Sequence, residues 1–393
     1  MPRDHGQRIG TQAVWAGEER LFWEGATEVP VVHSVAFGYE DVDSWLEVAR
    51  GIAPGYIYSR NTNPTVAALE EKTRQLDGAE AATSFSSGMA AVSNTLFALL
   101  SPGDRVVSVK DLYGGSSKIF LEFLPRFSVS VALCDTNDAE AIERAVRGGC
   151  RMLYLETPTN PTLKVLDIQR LARAARDVGA IVAVDNTFAT PVNQRPLELG
   201  ADLVIHSATK FLGGHADALG GLVSGAAAHV QRIYHYREIN GAAIDPMAAY
   251  LLLRGMKTLA LRVARQNESA LRIARYLNGH AAIERVFYPG LESHEGHAIA
   301  RKQMKGFGGV LSFVLKGGFE AVRRFLPRLR WARLAANLGA VQTLAGPPAT
   351  TSHVECTAEE RAAMGIPESL VRYSVGIEDV EDLIEDLTQA LAE

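Results

Sequence analysis

Ser207-Ala208-Thr209-Lys210 follows an apolar run, Ala201-Asp202-Leu203-Val204-Ile205, and leads into Phe211-Leu212-Gly213-Gly214-His215. A lysine amine held at the end of a buried strand is desolvated, which lowers its pKa and makes it a nucleophile toward a carbonyl. That is what a Schiff-base lysine requires, and the hydroxyls of Ser207 and Thr209 are suited to hold an anionic group such as a phosphate beside it. Taken alone, such a segment is more often a solvated surface lysine.

Other chemistry-bearing residues fall at comparable places. Asp185 follows Ile181-Val182-Ala183-Val184. A carboxylate behind four apolar residues needs a cationic or hydrogen-bonding partner. One such partner is a protonated pyridine nitrogen, whose ring then becomes a better electron sink; a turn or helix-cap aspartate has the same sequence signature. Ser86-Ser87-Gly88-Met89 stands between an apolar strand, 81–85, and an apolar helix. Amides at a helix start point at an anion, and glycine permits close approach. Tyr113, in Leu112-Tyr113-Gly114-Gly115, is placed either to cover a planar ring or to pack on the surface. Arg372, in Val371-Arg372-Tyr373-Ser374-Val375, suits bidentate carboxylate binding if it faces inward and is a solvated charge if it faces out. The stiff turn Glu156-Thr157-Pro158-Thr159-Asn160-Pro161 offers the amide of Asn160.

Positioning these groups takes alternating strands and helices. Asn63-Pro64 supplies an N-cap and a first-turn proline. From there to residue 225 the pattern predicts strands over 105–110, 128–134, 151–155, 181–184 and 203–205. Helices are expected over 138–146 and through Ile168, Leu171, Ala172, Ala175 and Val178. This is an α/β reading: a mostly parallel sheet covered on both faces, with ligands at the carboxyl ends of its strands. The first 60 residues have weak periodicity and read as an extended arm ending in Gly55-Tyr56-Ile57-Tyr58-Ser59-Arg60. Residues 248–277 read as a long helical connector, 308–314 as a strand and 379–392 as an amphipathic helix. The organisation expected is an arm over 1–60, an α/β domain over 61–259 and a smaller C-terminal α+β domain over 260–393.

Composition narrows the class. With 393 residues, 47% of them hydrophobic and 22% charged, the chain can bury a sizeable core. A net charge of -5 without a long basic run argues against nucleic acid. No apolar run approaches the roughly 18 to 20 residues of a membrane span, and Met1-Pro2-Arg3-Asp4-His5-Gly6 lacks the apolar core of a signal peptide. Three scattered cysteines, Cys134, Cys150 and Cys356, read as reduced buried thiols of a cytoplasmic protein. The ten histidines are not at metal-ligand spacing, so no metal is expected. Dinucleotide, P-loop, HExxH and GxSxG motifs do not occur.

In combination the segments resemble the pyridoxal 5'-phosphate (PLP) enzymes of Cys/Met metabolism, the cystathionine γ-synthase-like branch of fold type I. The matching motifs are Tyr58-Ser59-Arg60-x-x-Asn63-Pro64-Thr65, Ser87-Gly88-Met89, Leu112-Tyr113-Gly114-Gly115, Glu156-x-Pro158-x-Asn160-Pro161, Val184-Asp185-Asn186-Thr187, Ser207-Ala208-Thr209-Lys210 and Arg372-x-Ser374-Val375-Gly376. They run in family order along nearly the whole chain. The resemblance implies that Lys210 carries PLP as an internal aldimine and shuttles protons. It implies that Asp185 pairs with the pyridine nitrogen, that Tyr113 stacks on the ring and that Thr187 lies near the ring oxygen. Ser87, the Gly88 and Met89 amides, Ser207 and Thr209 would hold the phosphate, while Asn160, Asn337 and Arg372 would receive the substrate carboxylate. Tyr58 and Arg60 would reach the phosphate of a neighbouring subunit, so the site would be shared in a homodimer and dimers would pair into tetramers.

Within the family, departures guide the substrate. The methionine γ-lyase branch has a cysteine where this chain has Gly115, and cystathionine-handling members commonly have a glutamate at the position of Ala336. Ala336-Asn337-Leu338-Gly339 and Pro348-Ala349-Thr350-Thr351-Ser352-His353 look more like the homoserine-ester sulfhydrylases, although Ala340 stands where those carry an acid. The expected activity is γ-replacement, making homocysteine from O-acetyl- or O-succinylhomoserine and sulfide or a thiol. The alternatives are a methionine or cystathionine γ-lyase, a cystathionine γ-synthase, or a catalytically silent protein on the same fold.

Overall fold

The computed structural model describes residues 7–18, 25–354 and 356–392. The opening segment 1–6, expected to carry no signal peptide, and residues 19–24 of the arm lie outside the described residues. Seven strands form the larger sheet: β1 (Ala81–Phe85), β2 (Arg105–Val109), β3 (Ser130–Cys134), β4 (Met152–Glu156), β5 (Ile181–Asp185), β6 (Leu203–Ser207) and β7 (Gly221–Gly225). Their spatial order is β1-β7-β6-β5-β4-β2-β3. Every neighbouring pair from β6 to β3 is parallel, and only β7 runs against its neighbours. β4 and β5 are covered on both faces, so they appear in the chain as unbroken apolar runs rather than as alternation.

Side-chain caps start the helices that carry the site. Asn63 accepts from the amides of Thr65 and Val66, with Pro64 at the first helical position. Ser87 caps the helix Gly88–Leu99 through the amide of Ala90, and Asp167 caps Ile168–Arg176 through that of Arg170. Asn63 satisfies two of the orphan donors of its helix start, and Ser87 and Asp167 one each.

β7 was absent from the sequence expectation. Its apolar core is short and bracketed by Gly221 and Gly225, which read as turn residues. Sterics explain the glycines: a Cβ on Gly221 would lie 2.0 Å from the Ser87 carbonyl oxygen, and one on Gly225 2.1 Å from that of Asp202. The strand therefore passes directly against the loop that starts the Gly88 helix.

The second sheet contains β8 (Ile283–Phe287), β9 (Val310–Leu315), β10 (Arg333–Leu334), β11 (Leu344–Gly346) and β12 (Leu370–Ser374), in the order β10-β11-β12-β9-β8. Its core joins Leu311, Phe313, Val371 and Tyr373 to the C-terminal helix Val380–Leu391 through Leu383 and Leu387. A separate cluster, with Phe211, Leu212, Leu252, Leu253 and Val310, seats the turn that follows β6. The expected single connector is two helices, Pro246–Met256 and Leu259–Asn278, broken at 257–258.

The first 60 residues are not simply extended. They contain the helices Ile9–Trp15 and Val42–Ala49 and a bridge between Ala36 and Tyr58. Ala13, Val29 and Val32 are buried, and Lys72 anchors the segment by donating to the carbonyls of Ala13 (2.9 Å) and Val14 (3.1 Å) and pairing with Glu18 at 2.9 Å. The cysteines differ too: all three are half-buried. No helix among the described residues is long and apolar enough to cross a membrane.

Candidate active site

Strand ends and one helix start converge on a cavity of about 220 Å³. Its wall includes Ser87, Gly88, Met89, Tyr113, Asn160, Asp185, Thr187, Ser207, Thr209, Lys210 and Arg372, so eleven residues expected from the sequence line one space. Asn337 joins them through Lys210, whose Nζ donates to its Oδ1 at 2.7 Å.

Lys210 sits in the turn after β6. Burial, reinforced by the nearby Arg372 guanidinium, lowers its pKa to about 8. Arg372 lies in β12 and faces inward, only 6% exposed. Its Nη1 donates to Asn160 Oδ1 at 3.1 Å and its Nη2 to the Asn337 carbonyl at 3.2 Å. Asn160 thus orients the guanidinium through its oxygen, and only its amide nitrogen can donate to a ligand. Neither Lys210 nor Arg372 has a carboxylate partner among the described residues. The pair is an anion-seeking wall.

Asp185 is the complementary case. Its Oδ1 accepts from the Thr187 amide at 3.0 Å, and no cation pairs with it among the described residues. Burial raises its pKa against the opposing pull of Thr187 and of the His206 imidazole behind the sheet. A half-buried carboxyl facing a cavity and without a cationic partner among the described residues fits a protonated ring nitrogen. The anion cradle fits as well. Gly88 and Met89 are the first two residues of their helix, so their amides have no carbonyl one turn earlier to bond. A Cβ on Gly88 would stand 2.7 Å from both Cβ and Oγ of Ser207, so only glycine allows that approach.

The hydroxyls have local duties besides. Ser87 Oγ accepts from Ala90 N at 3.1 Å, Thr187 Oγ1 accepts from Ser207 N at 2.8 Å, and Thr209 Oγ1 accepts from Gly220 N at 3.1 Å. The first caps its own helix, and the other two tie the ends of β5, β6 and β7 together.

Glu156 belongs to a family-like motif, but the sequence assigns it no role of its own. It stands beside Asp185 in the parallel register of β4 and β5, and its Oε2 accepts from the Tyr113 amide at 2.9 Å. Burial, aided by the charge of Asp185, pushes its carboxyl well above the ordinary range. Its position at the end of β4, equivalent to that of Asp185 on β5, was the available signal. Ala336, Thr351 and Ser352 also line the cavity.

Tyr58 and Arg60 do not line it. They pair with each other, the Arg60 guanidinium carbon lying 5.2 Å from the Tyr58 ring centroid.

A family model described as Cys/Met metabolism PLP-dependent enzyme matches residues 10–392. The chain is 43% identical over 386 residues to an L-methionine gamma-lyase of Fusobacterium nucleatum subsp. polymorphum, covering 98% of each protein. It is 38% identical over 387 residues to the O-succinylhomoserine sulfhydrylase of Pseudomonas aeruginosa, covering 98% of this chain and 96% of that one. The crystal structure of cystathionine gamma synthase from Xanthomonas oryzae pv. oryzae in complex with cystathionine matches with a TM-score of 0.93 at 40% identity, covering 98% of both chains.

Proposed function

The chain belongs to the Cys/Met-metabolism family of PLP-dependent enzymes, and from that premise we propose that it carries out γ-replacement on an acylated homoserine, with sulfide as acceptor and homocysteine as product. The observation that carries this reading is the composition of the cavity wall. Among the described residues its acidic members are Asp185 and Glu156, at the ends of adjacent strands, while Ala336 presents only a methyl group. A substrate with one amino-acid head and a γ-acyloxy group that brings no second ammonium suits that wall, whereas the second ammonium of a cystathionine meets no further carboxylate among the described residues that line it.

The residues that hold PLP are Lys210, Asp185, Tyr113 and Thr187 at the ring, with Ser87, Gly88, Met89, Ser207 and Thr209 at the phosphate. When bound, PLP supplies the electron sink that acidifies the substrate Cα–H. Arg372, oriented by Asn160, takes the α-carboxylate, and Asn337 orients the Lys210 amine. Lys210 is the general base for the Cα proton. Its low pKa owes part of its depression to Arg372, so a carboxylate seated on Arg372 strengthens the base when it is needed. In this proposal Tyr58 and Arg60 serve a neighbouring subunit's phosphate, which makes the working unit a homodimer.

A second reading, γ-elimination from methionine, is favoured by the 43% identity to a methionine gamma-lyase. Purified protein assayed with each homoserine ester plus sulfide, and with methionine or cystathionine alone, separates the two. Homocysteine formation is expected to dominate. Release of oxo acid from a thioether at a far higher rate would overturn the first reading.

A further inference from the structure

Ser352 lines the same cavity as Lys210 and Ala336. It packs on the Tyr113 side, where its carbonyl oxygen would lie 2.9 Å from a Cβ on Gly114. Its Oγ is 2.9 Å from Nδ1 of His353. His353 is 1% exposed, and its Nε2 has no hydrogen-bond partner among the described residues. The residue is held at both ends of its backbone: its amide donates to the Pro348 carbonyl at 2.9 Å, and its carbonyl accepts from the Cys356 amide at 3.2 Å and from Arg361 Nη1 at 3.4 Å. A buried ring is therefore fixed against a hydroxyl at the edge of the site.

Burial, with Arg372 and Arg361 nearby, lowers the His353 pKa to about 4, so the ring is neutral and carries one N–H. Two tautomers are available. With the proton on Nε2, a buried donor has no acceptor and its positive hydrogen lies in the field of two guanidinium groups. With the proton on Nδ1, Nε2 offers a lone pair that the same cations favour. An unpaired acceptor is also better tolerated than an unpaired donor. The Nδ1–H tautomer donates to Ser352 Oγ, and the serine hydrogen is then turned away from the ring.

We propose that Ser352 is a specificity-determining hydrogen-bond donor to the oxygen of the substrate's γ-acyloxy group, and that His353 is the positioning residue that aims its hydrogen. This rests on the acyl-homoserine reading and sharpens it. An ester or departing carboxylate oxygen is a strong acceptor, whereas a thioether sulfur is a weak one. As the Cβ–H pair forms the Cβ=Cγ bond, its proton passing to Lys210, the Cγ–O bond breaks. Its electron pair leaves with the oxygen as acetate or succinate. Ser352 keeps its own proton and stabilises the charge that develops on that oxygen.

The test compares two reactions of the PLP-loaded enzyme: homocysteine formation from each ester, and deuterium exchange at Cα of norleucine, which has no γ-leaving group. Ser352→Ala is expected to lower kcat/KM for the esters about 10- to 100-fold, the effect of one charge-assisted hydrogen bond, with norleucine exchange and cofactor absorption near wild type. His353→Leu should match it. His353→Asn, whose amide can still donate to Ser352, should recover most of the ester rate. Nitrogen-15 NMR of the His353 ring in cofactor-free protein should show the proton on Nδ1. An equal loss in both reactions, no loss in either, or a proton on Nε2 overturns the inference while leaving the ester reading intact. A wild-type enzyme without ester turnover overturns that reading itself, and this inference with it.

Discussion

The two halves of the cavity are built differently. The half proposed to hold the cofactor, Ser87 to Met89 with Asp185, Ser207 and Lys210, comes from the strand ends of a single sheet and from one helix start. The half proposed to hold the substrate, Asn160, Ala336, Asn337, Ser352 and Arg372, spans both sheets. Its central contact joins Asn160 to Arg372 across 212 residues of chain. In the first half, backbone clearance leaves little choice of residue, as the space between Gly88 and Ser207 shows. In the second half, Ala336, Asn337 and Ser352 project from loops, and such side chains can change without disturbing a sheet. In the proposed reading, the chemistry common to the family belongs to the first half and the choice of γ-substituent to the second. That division matches relatives of nearly full coverage that carry different activities.

The division can be broken by mutation. The largest effect is expected from Lys210→Ala, which should lower turnover at least ~10³-fold on every substrate and abolish the absorption band of lysine-bound PLP. If it changed substrate preference instead, the two halves would not be separate. Arg372→Ala should come next, raising KM for the amino acid about 10- to 100-fold, as expected for a charge-assisted hydrogen-bonding partner. Titration of cofactor absorbance should be nearly unchanged; loss of the band would place Arg372 in the cofactor half.

The smallest effect is a pH profile that links the halves. With a pKa of about 8, Lys210 is mostly charged at pH 7 and mostly neutral at pH 9, and only the neutral amine attacks a carbonyl. PLP uptake by cofactor-free protein, followed by absorbance, should therefore speed up about tenfold between those values and level off above. In Arg372→Ala the midpoint should move upward, because one of the two causes of the depression is gone. A midpoint that stays put would mean that burial alone sets it.

Much of the cofactor half was legible because its signals are local. Four apolar residues before Asp185, a run of apolar residues before Ser207, and a glycine at a helix start are short-range patterns with direct physical causes. β7 escaped because its glycines, required by the Ser87 and Asp202 carbonyls, have the appearance of turn residues in sequence. The break at 257–258 escaped because both flanking segments are good helix. The arm's anchorage escaped because Lys72 lies 59 residues from the Ala13 carbonyl that it binds.

By itself, the order of residues determined the strand–helix alternation, the placement of Lys210 and Asp185 at strand ends, and the family motifs that run through the chain. Each depends on neighbours within a few positions, where periodicity and capping act. Only the tertiary structure decided that Arg372 faces inward, that Asn160 and Asn337 orient it, and that Glu156 lies beside Asp185. It also placed Ser352 and a buried His353 at the edge of the same cavity. Those facts depend on strand register and on contacts between segments far apart in the chain, which no local pattern encodes.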